Sequence, residues 1–127
     1  MQEDFEIYIH KATLDDVSAW LTSLFPGLEK TTGDKTKTHR FKAHWNNELL
    51  PITVIERAAK PGFTSVWFDS GNTPWESDKA CALAAFAALQ KPVRCNPAFW
   101  QEGDDPDLWL EINAEGEQSV IWRTEDN

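Results

Sequence analysis

The run Trp67-Phe68-Asp69-Ser70-Gly71-Asn72-Thr73-Pro74-Trp75-Glu76-Ser77-Asp78 gathers two indoles, three carboxylates and four hydroxyl or amide side chains into twelve residues. It leads from a strand-like stretch through a glycine into a helix start, where free backbone amides commonly hold an anion. Here the carboxylates oppose that use. Glu76 stands where a capping glutamate would, and Asp69 and Asp78 make the neighbourhood negative. The junction therefore suits a cationic or hydroxyl-rich small molecule. Trp67, Asp69, Ser70, Asn72, Trp75 and Asp78 are its pocket residues, with Arg94 and Trp100 beside them. The same side chains equally serve a structural end, in which Asp69, Ser70 and Asn72 satisfy the turn and the two tryptophans complete the core.

A second concentration is Glu102, Asp104, Asp105 and Asp107, followed by Trp109. A calcium loop needs oxygens at ordered spacing and a glycine for its sharp turn; Asp-Asp-Pro-Asp lacks that alternation and Gly103 precedes the cluster. Protein contact fits better. Trp109 has the parity opposite to Leu108, Leu110 and Ile112, which places it on an outer face beside an acidic rim. Indoles are favoured interface anchors, so the expected partner is a protein with a basic surface.

Other chemistries find less support. There is no Gly-x-Ser-x-Gly elbow, phosphate loop, Gly-x-Gly-x-x-Gly or His-Glu-x-x-His. His39 and His44 are five residues apart and point to opposite faces of a straight strand, while His10 lies on another element, so no metal site is assigned. Cys81 and Cys95 lack a Cys-x-x-Cys pairing and read as thiols. Cys81 falls among alanines as packing, and Cys95, next to Arg94, is the one with a possible lowered pKa. No catalytic residue and no cofactor is assigned.

The elements that must position these residues follow from periodicity. Phe5, Ile7 and Ile9 alternate with polar neighbours as a strand. Thr13 caps a helix carrying Leu14, Val17, Leu21 and Leu24, and Pro26-Gly27 ends it. Residues 28–37 fit either a strand edge or a loop. His39, Phe41, Ala43 and Trp45 alternate along a strand, Asn46-Asn47 turns, a strand starting near Ile52 to spare Pro51 runs to Arg57, and another runs over 63–70. Thr73-Pro74-Trp75-Glu76 has the form of a capping box and predicts a nearly all-apolar central helix to about Gln90, buried on more than one side. A short strand at Val93-Arg94-Cys95 and a terminal hairpin complete the chain. The expectation is a single α+β domain over 1–127 with a mainly antiparallel sheet, in the order β-α-β-β-β-α-(β)-β-β with two helices packed on it.

Composition bounds the function. The 127 residues hold 21 acids against 12 Lys and Arg, a formal charge of −9, and seven tryptophans. That deficit disfavours nucleic acid and anionic membranes as partners. No apolar run approaches a membrane span, and the acidic start does not resemble a secretory signal, so the chain reads as cytoplasmic. The charge is uneven, however: residues 96–127 carry nine acids and one base, and 30–60 seven bases and three acids. A basic face of Lys35, Lys37, Arg40, Lys42 and His44 with Trp45 is therefore the one place where nucleic acid would fit. The favoured function is an acidic protein-binding domain without catalysis, of the size and charge of small inhibitors that block basic, nucleic-acid-directed toxins. The small-molecule pocket at 69–78 is the alternative. Oligomeric state is not legible.

Overall fold

Alternation and capping resolve into ten elements in the computed structural model, which describes residues 2–32, 36–97 and 103–123. They are β1 (Phe5–His10), α1 (Leu14–Leu24), β2 (Glu29–Lys30), β3 (Thr38–Trp45), β4 (Glu48–Ala59), β5 (Phe63–Phe68), α2 (Asp78–Leu89), β6 (Val93–Cys95), β7 (Leu108–Asn113) and β8 (Gly116–Ile121). The eight strands form one antiparallel sheet in the order β2-β3-β4-β5-β1-β6-β7-β8. The α+β class and the element order agree with the pattern read from the sequence. The first strand is the seam: β1 joins a meander of β3, β4 and β5 on one side to a meander of β6, β7 and β8 on the other.

Both helices pack on the sheet face that carries Phe5, Ile7, Ile9, Val66, Phe68, Ile52, Val54, Val93, Leu110 and Ile112, all of them buried. Helix α1 is set by a capping box in which Thr13 Oγ1 accepts from Asp16 N and Asp16 Oδ2 accepts from Thr13 N. Its Trp20 packs edge-on against Phe68 and stacks on Trp75.

Three local expectations need correction. Helix α2 begins at Asp78, with Ser77 rather than Thr73 as its N-cap; Ser77 Oγ accepts from Ala80 N. Residues 73–77 stay irregular because Trp75 is drawn into the core against Trp20 and Phe68, while Thr73 Oγ1 bonds the Trp75 backbone locally. Nor is α2 buried on more than one side, since only Cys81, Ala82 and Ala85 are buried and Leu83 is exposed. Leaving alanine methyls in water forfeits little apolar area, so the composition does not force a second covering layer. Finally, β4 begins at Glu48 and contains Pro51. The Pro51 carbonyl accepts from Asp69 N at the end of β5, so the proline's missing donor points where the ladder stops.

Among the described residues no helix covers the opposite sheet face. It carries Glu6, Tyr8 and His10 from β1, Phe63, Ser65 and Trp67 from β5, Arg94 from β6, and Trp109 and Glu111 from β7.

Candidate functional site

The helix-free face holds most of the chain's polar and aromatic concentration, and it is built by strand parity. Trp109, with parity opposite to buried Leu110 and Ile112, meets Tyr8 edge-on at 5.5 Å and Trp122 at 5.1 Å. Trp122, just beyond β8, is buried against Tyr8 and Phe63 and donates its indole N–H to the Lys60 carbonyl at 2.9 Å. The Arg94 guanidinium lies over the Phe63 and Trp122 rings at 4.6 and 4.8 Å and donates to Glu111 Oε1 at 2.8 Å. Burial pushes the Glu111 carboxyl up, but hydrogen bonds from Arg94 and Asn113 and the Arg94 charge more than reverse it. Tyr8 and Trp109 remain half-exposed, so the cluster is a fixed platform with an accessible aromatic edge.

One border of this platform is a group of carboxylates at the start of β1. Trp67 Nε1 donates to Asp4 Oδ2 at 2.8 Å, Ser65 Oγ to Glu6 Oε2 at 3.2 Å, and Gln2 Nε2 to Asp78 Oδ1 at 2.7 Å. Asp78 Oδ1 also accepts from Glu6 N at 3.3 Å, because β6 pairs only with Tyr8 and Ile9 and leaves that amide without a strand partner. Burial, then the Asp4 and Asp78 charges, raise the Glu6 carboxyl above its ordinary value; burial and Asp4 likewise raise Asp78. Burial and neighbouring Glu6 push the Tyr8 hydroxyl to about 12. No cation among the described residues acts on Glu6, so this corner is crowded with like charge and would gain from a positive ligand.

The acidic loop is partly committed within the chain. Arg123 bridges Asp105 and Asp107, and Asp105 Oδ1 accepts from Asp107 N at 2.8 Å. The Asp107 backbone N–H, then Arg123, hold the Asp105 carboxyl below the usual range. Glu102 and Trp100 lie outside the described residues.

The junction at 69–78 spends much of its polar capacity within the chain. Ser70 Oγ accepts from Asn72 N, and Asn72 Nδ2 donates to the Trp45 carbonyl and Glu48 Oε2, as a self-satisfied turn requires. Gly71 packs so closely on the first residues that a Cβ there would sit 2.3 Å from the Gln2 carbonyl oxygen. Trp75 faces the helices while Trp67 and Arg94 face the opposite side, and Asp69 is exposed. Two depressions open elsewhere. One, of about 370 Å³, lies between α1 and α2; the other, of about 240 Å³, lies where β1 enters α1.

Cys81 and Cys95 are free and fully buried. Cys95 points to the helix side, away from Arg94, and burial pushes its thiol up to about 12, where a lowered value was the expectation; burial also raises Cys81 well above its ordinary value. Neither is presented as a nucleophile. No group of three or more His, Cys, Asp or Glu arranged to hold a metal occurs among the described residues, and none of their helices is long and apolar enough to cross a membrane.

Sequence parity indicated Trp109's outward position. It gave no sign of the Asp4, Glu6 and Asp78 convergence, which depends on α2 ending its approach at the unpaired part of β1. No protein-family model, curated protein or solved structure matches this chain.

Proposed function

We propose that this is a non-catalytic protein-binding domain that receives a basic partner on the helix-free face of its sheet. A single observation carries the proposal: the half-buried Tyr8 and Trp109 rings, fixed by Trp122, stand beside carboxylates whose mutual repulsion no cation among the described residues relieves. A lysine or arginine of the partner would satisfy both parts, lying over an aromatic ring while pairing with Glu6 or Asp4. Asp104, Asp105 and Asp107 add to the negative field that speeds encounter with a basic protein. The size and charge are those of small acidic inhibitors, and this likeness is one of composition alone.

Affinity capture from the cell of origin, at low and then moderate salt, tests it. The expected result is a stoichiometric basic protein retained by the wild type and by Leu83→Glu on the exposed side of α2. Trp109→Ala should weaken its binding by about thirtyfold, and Glu6→Gln by about tenfold. Retention that ignores both substitutions would overturn the assignment of this face.

A further inference from the structure

The smaller depression lies at the far end of β1 from Glu6, on the helix-bearing side of the sheet; it is open to solvent and lined by Lys11, Ala12, Thr13, Glu56, Arg57 and Thr64 with Gly62 at its edge. Its charged groups come from two places where the backbone departs from ordinary geometry. Lys11 has φ 56° at the exit of β1, and Arg57 has φ 49° inside the bulge that shifts the β4–β5 register between Ile55 and Ala59. Left-handed asparagines at 46 and 47 belong to a hairpin turn, and left-handed Gln90 closes a helix; Lys11 and Arg57 have no such excuse of residue type. Strain retained in cationic residues on the rim of one cavity, with a bulge re-aiming one of them, is the pattern of a built site.

Glu56 forms its negative wall. Glu56 Oε1 lies 2.7 Å from His39 Nε2, and His39 is 2 % exposed. His39 Nδ1 is buried with no hydrogen-bond partner among the described residues. The tautomer that fits carries its hydrogen on Nε2, donating to Glu56 and leaving Nδ1 a bare lone pair, because a second N–H would find no acceptor. The imidazole thus holds the carboxylate in place. Glu56 is one-third exposed, and its second oxygen forms no bond among the described residues. Neither Lys11 nor Arg57 enters an ion pair among the described residues.

We infer that this cavity binds a small carboxylate bearing an adjacent hydrogen-bond donor, an α-amino or α-hydroxy acid. Lys11 and Arg57 take the carboxylate, and Glu56, oriented by His39, accepts from the ammonium or hydroxyl. Two cations against one anion leave the depression net positive, which favours an anion. The fixed carboxylate then selects anions that can donate, since a plain anion would be repelled by it. A volume of about 240 Å³ is sufficient for a molecule of this small class.

Amide and side-chain NMR titration of the full chain with L-alanine, glycolate and acetate tests the inference. Saturable shifts at Lys11, Arg57 and Gly62 are expected with L-alanine or glycolate, with affinity on the order of millimolar for ligands this small, and acetate should bind about tenfold more weakly. The better of the first two identifies the donor. Glu56→Gln should remove the preference over acetate. Arg57→Gly should abolish binding while leaving the melting temperature unchanged or raised, because glycine accepts the left-handed conformation. Absence of saturable shifts with both acids overturns the inference, as does equal binding of acetate or binding that survives both substitutions. None of these outcomes depends on the sheet face proposed for the protein partner.

Discussion

Asp78 shows how one side chain can serve an element, a sheet and a surface. Its carboxylate occupies the first turn of α2, caps the unpaired Glu6 amide and anchors Gln2. Burial nonetheless raises its titration, as it does that of Glu6. A carboxylate that titrates higher in the fold contributes stability that is complete below its ordinary value, 3.8 for Asp78 and 4.5 for Glu6, and is lost as pH rises through the raised value. Asp78→Asn keeps the acceptor oxygen and removes the charge. It should match the wild type in acid and exceed it near neutrality by about 0.5 kcal/mol, once solvent screening of a half-exposed group and the lost helix-dipole term are allowed for. Urea unfolding across pH checks this; an advantage that grows as pH falls would contradict it. Gly71 offers a sharper steric test. An alanine there drives a methyl into the Gln2 carbonyl, and Gly71→Ala should cost about 1–3 kcal/mol of unfolding free energy and loosen Gln2 from Asp78.

The corrected start of α2 makes its own prediction. Ser77→Ala should cost about 1 kcal/mol by removing the acceptor for Ala80 N, and Thr73→Ala markedly less, because Thr73 bonds only the nearby Trp75 backbone. Denaturation midpoints of the two variants decide it, and equal losses would restore Thr73 as the cap. Both Thr73 and Ser77 satisfy the local rules for a helix start, so sequence had no means of choosing. The choice is tertiary: a helix begun at Pro74 would carry Trp75 away from its stack on Trp20. Period-two alternation, by contrast, located β1, β3 and β7 and their inward faces, including His39 on the parity of Phe41 and Ala43. What alternation does not carry is pairing across strands distant in sequence. The Glu56 contact to His39 needs the register of β3 against β4 and a bulge at Arg57, and the platform needs β1 between β5 and β6. For the candidate site, then, the orientation of Trp109 was legible and its neighbours Tyr8, Glu6 and Asp4 were not.

At the scale of the molecule, the formal charge of −9 separates into sites of different meaning. Part of the acidic loop is neutralised by Arg123, and Glu111 by Arg94, whereas Glu6 and Asp78 stay crowded. Long-range attraction of a basic partner comes from the total, and should fall with salt over a Debye length of about 8–10 Å. Specific docking comes from the platform. Its affinity should strengthen as pH rises through the raised Glu6 value, because deprotonation creates the charge that the partner's cation meets. The most direct measurement is the set of indole N–H signals while the captured partner is added. Trp67 and Trp109, on the helix-free face, should shift and saturate at one equivalent, while Trp20, on the buried side of α1, stays in place. A saturating shift at Trp20 in α1, with Trp67 and Trp109 unmoved, would contradict the assignment of that face as the binding surface.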